Sequence, residues 1–206
     1  MEETKILDKK YFKEIDTKEK AYFFGLLYAD GSIYKRKDRP GTYRIQLKLQ
    51  EQDEYIIQKF KEAIKTDINI RKEKDGSRLI FTNKEIAEDL ISHGCIENKS
   101  KIKKFPEIKK ELFWDFLRGY FDGNGSVGIL KTSTYFRIFT GSKDFAEGLK
   151  NELALYGIKI NIFDNSNSSG TWELSTGKKE QVKIISEKMY EETELFLTRK
   201  KEKFKI

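Results

Sequence analysis

Asp30 and Asn124 each stand directly before a glycine, in two segments that resemble each other. The first segment is FFGLLYADGSI (residues 23–33) and the second is LRGYFDGNGSV (residues 117–127). A glycine just past the last turn commonly ends a helix. If two such helices pack side by side, the side chains of Asp30 and Asn124 lie at the same end of the helix pair. They then stand beside the unsatisfied carbonyls of two helix C-termini.

Oxygen ligands at the negative ends of two helix dipoles favour a cation. Mg²⁺ suits such a place, because it binds through a few carboxylates and keeps water molecules for chemistry. The chain contains one cysteine, Cys95, and one histidine, His93, so a Cys/His zinc site and an internal disulfide are excluded. We interpret both residues as structural. We expect Mg²⁺, or another divalent cation such as Mn²⁺ or Ca²⁺, and phosphodiester hydrolysis as the reaction.

Each segment also has a glycine in the middle of the expected helix, Gly25 in the first and Gly119 in the second. Glycine inside a helix costs about 1 kcal/mol relative to alanine. Its presence at equivalent places therefore needs a reason, and close approach of two backbones is such a reason. The pattern predicts that the two helices pack with Gly25 against Gly119.

The same order of elements follows each segment. In the first half we expect strands at 32–35 and 43–49, a helix opened by Asp53, strands at 67–71 and 77–81 joined by an Asp75-Gly76 turn, and a helix over 86–94. Residues 82–85 are expected to form a capping box in which Thr82 caps that last helix. In the second half we expect strands at 126–131 and 135–140, a helix over 143–156, strands at 159–163 and 172–175 joined by a polar loop, and one helix from about Lys179 through the C-terminus.

These elements predict an α+β fold of two pseudo-symmetric halves, each with the order α-β-β-α-β-β-α and an antiparallel sheet. We expect residues 1–96 to form the first half, residues 97–108 the linker and residues 109–206 the second half.

The composition agrees with a folded protein that has a polyanionic partner. Hydrophobic residues make up 37% of the chain, which is enough for a core, and the formal net charge is +7. The excess of positive charge is also compatible with an ordinary solvated surface. The longest apolar run, residues 21–29, is too short to span a bilayer, and the N-terminus has no signal-peptide pattern. We expect an intracellular protein that is soluble and has no membrane partner.

The strand at 43–49 alternates so that Arg44, Gln46 and Lys48 share one face. Long hydrogen-bonding side chains of this kind suit the edges of DNA bases, although a solvated sheet face would have the same pattern. The candidate DNA-binding residues are Lys35, Arg36, Lys37, Arg39, Arg44, Gln46, Lys48, Arg71, Lys72 and Arg78 in the first half, and Lys131, Arg137, Lys159 and Trp172 in the second.

The two segments resemble the LAGLIDADG motif of homing endonucleases, and ENKSKIKKFP before the second copy resembles the lysine-rich connector of bacterial members. The resemblance covers the chain from about Asp16 to its end. Two copies, each followed by the same order of elements, make it specific. It implies saddle-shaped sheets that lie in the DNA major groove, motif helices that form the interface between the halves, and a single chain that acts as a monomer on double-stranded DNA.

The resemblance also implies a set of site residues. The penultimate position of the motif, which binds the catalytic metal in the family, falls on Asp30 and Asn124, and the backbone carbonyls of Ala29 and Gly123 are implied as further metal ligands. Members of the family place a glutamine and lysines around the catalytic carboxylates. The candidates here are Gln50 for the glutamine, and Lys84 and Lys178 for the lysines.

Asn124 departs from the family pattern, which has Asp or Glu at this position. An amide keeps an oxygen that can bind a metal, but it brings no charge and accepts no proton. Asp122, two residues earlier, matches Tyr28 rather than the metal position. Three interpretations remain open: a substitution made to trap an intact DNA complex, a natural enzyme that nicks or cuts slowly, and a protein that has lost cleavage and kept DNA binding.

The predicted function is therefore a site-specific, metal-dependent DNA endonuclease of the intron-encoded homing type, impaired by Asn124. The alternative is a non-cleaving DNA-binding protein, a regulator or an intron maturase, on the same scaffold.

Overall fold

The structure is a computed structural model that describes residues 7–95, 103–129 and 133–204. Within these ranges, none of the helices combines the length and the apolar character that crossing a membrane requires. The predicted DNA-binding residue Lys131 and the first half of the predicted linker, residues 97–102, lie outside the described residues.

Of the seven helices and strands described below for the first half, four lie where the sequence predicts them, and three have bounds that differ from the prediction. Its order is α1 (Lys18–Asp30), β1 (Ser32–Lys35), β2 (Tyr43–Leu49), α2 (Glu54–Ala63), β3 (Arg71–Glu73), β4 (Gly76–Thr82) and α3 (Lys84–Ser92). The strands form one antiparallel sheet in the order β1-β2-β4-β3. The predictions for β1 and β2 are confirmed to the residue.

The second half repeats this order. It contains α4 (Phe113–Asn124), β5 (Gly125–Ile129), β6 (Thr134–Thr140), α5 (Lys143–Ala154), β7 (Asn161–Asn165), α6 (Ser166–Ser169), β8 (Thr171–Thr176), α7 (Lys179–Tyr190) and α8 (Thr198–Lys201). Its sheet is also antiparallel, in the order β5-β6-β8-β7. The predicted α+β fold with two equivalent sheets is confirmed.

The motif helices α1 and α4 pack against each other with their backbones in close approach. A methyl group built on Gly25 would overlap the carbonyl oxygen of Phe116, and one built on Gly119 would overlap that of Tyr22. The predicted packing at the two glycines is therefore confirmed. Thr17 caps α1, since its hydroxyl accepts from the Lys20 amide at 3.2 Å.

Two predictions about the first half were wrong in detail. The strand expected at 67–71 begins only at Arg71, because the ladder with β4 starts there, while the half-buried Ile68 and Ile70 pack against the core without a strand partner. The cap of α3 is Asn83, whose side chain accepts from the Ile86 amide at 2.8 Å. Thr82 does not cap the helix because it still pairs with Arg44 in the sheet.

In the second half, β7 starts two residues later than predicted, at Asn161, where its ladder with β8 begins. The loop expected after it contains the last residues of β7 and the short helix α6.

The single C-terminal helix expected from Lys179 onward was also wrong. Helix α7 ends at Tyr190, where the buried Arg118 guanidinium binds the backbone on both sides of the end, donating to the Met189 carbonyl at 2.6 Å and the Leu195 carbonyl at 2.7 Å. Asp122 then accepts from the Leu197 amide at 2.8 Å. These contacts bring the C-terminal segment back to α4, where α8 forms.

Candidate metal and nucleic-acid site

Asp30 and Asn124 are the last residues of the two packed helices. A Cβ atom built on Gly123 would lie 3.2 Å from Cγ of Asp30 and 3.3 Å from its Oδ2. The carboxylate of Asp30 therefore lies against the last turn of α4. The structure thus brings the predicted metal ligands Asp30, Asn124, Ala29 and Gly123 to one end of the helix pair.

The end of the helix pair at Asp30 offers the oxygen ligands that a hard cation prefers. The carboxylate is exposed, and two residues further on the Ser32 hydroxyl is buried without a hydrogen-bond partner among the described residues. Carboxylate and other oxygen ligands beside room for water suit Mg²⁺. Across the described ranges, however, no group of three or more His, Cys, Asp and Glu side chains could hold a metal ion.

A buried lysine that sequence reasoning missed, Lys103, contacts Tyr120, which lies one helical turn before Asn124 on α4. Its ammonium donates to the Tyr120 hydroxyl at 2.6 Å and lies over the rings of Tyr120 at 4.6 Å and Phe145 at 4.9 Å. Burial lowers the pKa of Lys103 to about 8, while the charge of Asp30 works in the opposite direction. The ammonium is thus within electrostatic reach of the helix ends.

A second buried lysine, Lys200, caps the C-terminus of α4. Its ammonium donates to the carbonyl oxygens of Phe121 at 2.7 Å, Asp122 at 2.6 Å and Gly125 at 3.0 Å, and lies 3.5 Å from that of Gly123. Desolvation lowers the pKa of Lys200 to about 8, against the opposing charges of Asp122 and Asp30. A cation here satisfies carbonyls that a helix end leaves without partners.

The lysines predicted from the sequence, Lys84 and Lys178, lie at the starts of the last long helices of the two halves. Lys84 begins α3, two residues beyond the end of β4, and its exposed ammonium is 3.7 Å from Glu88. Lys178 is exposed just before α7. Each lysine follows the last central strand of its half, β4 or β8, and the role of both in the site stays a prediction. Comparing the two halves could have found the buried pair, because Lys103 follows α3 and Lys200 follows the equivalent helix α7.

The strand register places Gln46, and not the predicted Gln50, beside the start of β1. Gln50 is exposed after the end of β2, and its Oε1 accepts from Gln52 at 2.9 Å. Gln46 pairs with Ser32, the first residue after the α1 helix and its terminal glycine. The register therefore puts Gln46, which was assigned to DNA contacts, beside the Asp30 end of the site.

The exposed face of the first sheet is basic, as predicted. Arg44, Gln46 and Lys48 are half-buried on the face opposite the buried Ile45 and Leu47, so that alternation is confirmed. Lys48 pairs with Arg78, which pairs with Arg71, so three cations lie side by side across β2, β4 and β3. Glu73 lies among them, 3.1 Å from Lys48 and 2.7 Å from Arg78. The exposed Lys35 ends β1, and Arg36, Lys37 and Arg39 lie in the loop that follows it.

Two residues predicted to contact DNA face the other way. Lys72 pairs with the buried Ser77 and makes an ion pair at 2.6 Å with Glu54 of α2, so it lies on the helix-covered face. Trp172 is opposite Thr140 on the face of Leu174 and packs against the core. Strand alternation fixes both orientations.

The exposed face of the second sheet is less basic than that of the first. Arg137 pairs with Ser126 and lies 3.2 Å from Glu173, while the neighbouring Phe163 is 49% exposed. Lys159 is exposed just before β7 rather than within it. The two sheets thus offer different surfaces on one scaffold.

Cys95 and His93 are in structural positions. Cys95 is buried, and a ring nitrogen of His93 is 2.9 Å from the carbonyl of Phe12.

Comparison with known proteins agrees with this geometry. Residues 114–190 match the family model of the LAGLIDADG-like domain. The structure of I-DmoI in complex with DNA and Ca superposes with a TM-score of 0.62 at 17% identity, covering 92% of this chain and 94% of that one. The N-terminal LAGLIDADG domain of DUF199/WhiA superposes with a TM-score of 0.58 at 17% identity, covering 91% and 92%. The resemblance to the LAGLIDADG family is confirmed, and the chain has the fold of the single-chain LAGLIDADG homing endonucleases.

Two proteins of Methanocaldococcus jannaschii are similar in sequence. An uncharacterized protein is 29% identical over 184 residues, which are 82% of this chain and 21% of that protein. A probable translation initiation factor IF-2 is 28% identical over 157 residues, 71% of this chain and 12% of that protein. The chain therefore matches only a small part of each.

Proposed function

We propose that the chain is a double-stranded DNA endonuclease of the homing type that uses a divalent ion held at Asp30. The observation that carries this proposal is the carboxylate of Asp30 against the last turn of α4, within electrostatic reach of two buried lysines. The fold is shared with I-DmoI, solved with DNA and Ca and with DNA and Mn, and with I-GzeII in complex with its DNA target.

In this proposal Asp30, with the carbonyls of Ala29 and Gly123, would hold the ion, which activates water and stabilises the leaving oxygen when bound. The ammonium groups of Lys103 and Lys200 add positive charge where the phosphodiester gains negative charge. Gln46 replaces Gln50 as the glutamine nearest the reacting phosphate. With a pKa of about 8, both lysines are largely protonated at neutral pH.

We propose that DNA lies along the two exposed sheet faces, with Arg44, Lys48 and Arg78 supplying the strongest contacts. Residues 1–96 and 109–206 then act as the two halves of one monomeric binding unit joined by residues 97–108. Contacts to phosphates release counterions, so the affinity should fall steeply with salt.

A non-cleaving DNA-binding protein is the second candidate function. Asn124 favours it, because an amide in place of a carboxylate lowers the attraction for a divalent ion. Both candidates require duplex binding through the same sheet faces.

The test is selection from a randomised duplex pool in Ca²⁺, followed by incubation of the selected duplexes with Mg²⁺ or Mn²⁺. The endonuclease proposal expects a selected sequence that is bound in a salt-sensitive manner and cut, and an Asp30→Asn variant that binds it without cutting. Binding without cutting by the wild-type chain would replace it with the second candidate. A pool that yields no preferred sequence would contradict both.

A further inference from the structure

The exposed faces of the two sheets can be compared position by position, because their strand registers match. Gln46 of β2 pairs with Ser32, the first residue after the glycine that ends α1. Arg137 of β6 pairs with Ser126, the first residue after the glycine that ends α4. Gln46 and Arg137 therefore occupy equivalent places, and side chains two residues further along each strand share the same face.

One row of side chains on these faces differs in chemistry between the halves. In the first half the row crosses β2, β4 and β3 and consists of three cations, Lys48, Arg78 and Arg71. In the second half the equivalent row crosses β6, β8 and β7 and has two aromatic rings on either side of a carboxylate, Phe139, Glu173 and Phe163. We call the second set the Phe-Glu-Phe row.

The Phe-Glu-Phe row lies on the exposed face and is open to a partner. Phe163 is 49% exposed on the edge strand β7, while Phe139 and Glu173 are half-buried. The Glu173 carboxylate lies 3.2 Å from Nε of Arg137, which balances part of its charge, and a carboxylate has acceptor sites beyond one such contact. Of the strand residues that the structure describes on this face, Arg137 is the one cation, so the face attracts phosphate groups only weakly.

The edges of DNA bases in the major groove carry groups that match this row. Apolar side chains such as phenylalanine contact the methyl group of thymine, and a carboxylate accepts from the amino group of cytosine. Cations such as those of the equivalent row in the first sheet bind guanine or phosphate instead. If one duplex crosses both sheets, its two half-sites therefore meet different chemistry at equivalent places.

We propose that the Phe-Glu-Phe row determines the sequence preference at the half-site bound by the second sheet, with thymine at Phe139 and Phe163 and cytosine at Glu173. The inference rests on the proposed duplex binding and adds which bases part of the target contains. The first sheet then supplies most of the affinity and its salt dependence. The contacts to thymine methyl groups add a preference that salt does not weaken, because they release no counterions.

The experiment uses a duplex selected in Ca²⁺ in which deoxyuridine replaces thymidine at one position at a time, so that one methyl group is lost and base pairing is kept. For the wild-type chain we expect two such positions in one half-site, each weakening binding about fourfold, the value of one buried methyl group. Phe163→Ala should lose the sensitivity at one of these positions and keep that at the other. Its salt dependence should equal that of the wild type.

The matched control is Arg71→Ala, at the equivalent position of the first sheet. It should flatten the salt dependence and keep the sensitivity to uracil at both positions. A repeated selection with Glu173→Gln should change one selected base from cytosine to adenine, because glutamine pairs with adenine.

Uracil tolerated by the wild-type chain at every position, or a selected target without these thymines, would overturn the inference and leave the duplex binding standing. Sensitivity that Phe139→Ala and Phe163→Ala both retain in full would also overturn it. A dimer of the free chain that Phe163→Ala dissociates in sedimentation would assign the row to a second copy instead. If a variant fails to fold, the uracil series on the wild-type chain still decides. A pool that yields no preferred sequence would contradict the proposed function itself.

Discussion

Replacing Gly119 with alanine tests whether the two motif helices depend on backbone contact. The added methyl group would overlap the Tyr22 carbonyl oxygen and lie 2.9 Å from the Leu26 amide nitrogen, and backbone atoms cannot swing aside as a flexible side chain can. The helices must therefore move apart. Overpacking of this kind costs about 3 kcal/mol when the neighbour is rigid, and the better helix propensity of alanine returns about 1 kcal/mol.

We therefore expect Gly119→Ala to lower the free energy of unfolding by about 2 kcal/mol, which for a chain of this size corresponds to a fall in Tm of about 4–8 °C. The assay is calorimetry together with urea unfolding. Lys150→Ala, at an exposed position of α5, is the control and should change Tm by little. If Gly119→Ala were as stable as the wild-type chain, the proposed backbone contact would be refuted.

Three further predictions follow from contacts elsewhere in the molecule. Arg78→Ala should weaken duplex binding and flatten its salt dependence in a titration, whereas Lys72→Ala should leave both unchanged, because only Arg78 lies on the exposed sheet face. The pKa values of Lys103 and Lys200 are lowered to about 8 by burial, so the unfolded state binds more protons above that pH. The free energy of unfolding should therefore rise between about pH 8 and pH 10.5. Measured by urea unfolding, the rise should be smaller in Lys103→Met or Lys200→Met than in the wild-type chain. Arg118→Met leaves the buried Asp115 unpaired and should destabilise the fold by about 3–5 kcal/mol, with early proteolysis at residues 191–197; unchanged protease resistance would contradict this.

The motif helices and their packing could be predicted because their causes are local. A mid-helix glycine is costly wherever it stands, so its recurrence at Gly25 and Gly119 already indicated a contact. Strict alternation on β2 likewise fixed which side chains face the core. These features need no knowledge of distant residues.

Comparing the two halves points to lysines after α3 and α7, but which lysine of each group is buried could not be predicted, because burial depends on long-range packing. Lys103 and Lys200 each stand among several other lysines in the sequence, and only the folded chain buries one of each group. The orientation of Lys72 and Trp172 depended on the register of short strands, where a shift of one residue reverses the exposed face. The end of α7 lies against Arg118, which is far away in sequence.

The most direct test of the central claim is a strand-resolved cleavage assay on a selected duplex, labelled separately on each strand and incubated with Mn²⁺. The account predicts that the wild-type chain cleaves the duplex, and that Asp30→Asn binds the same duplex at least as tightly while its cleavage falls about 100-fold or more, since metal positioning supplies much of the rate. Equal cleavage by the wild-type chain and Asp30→Asn would contradict the account.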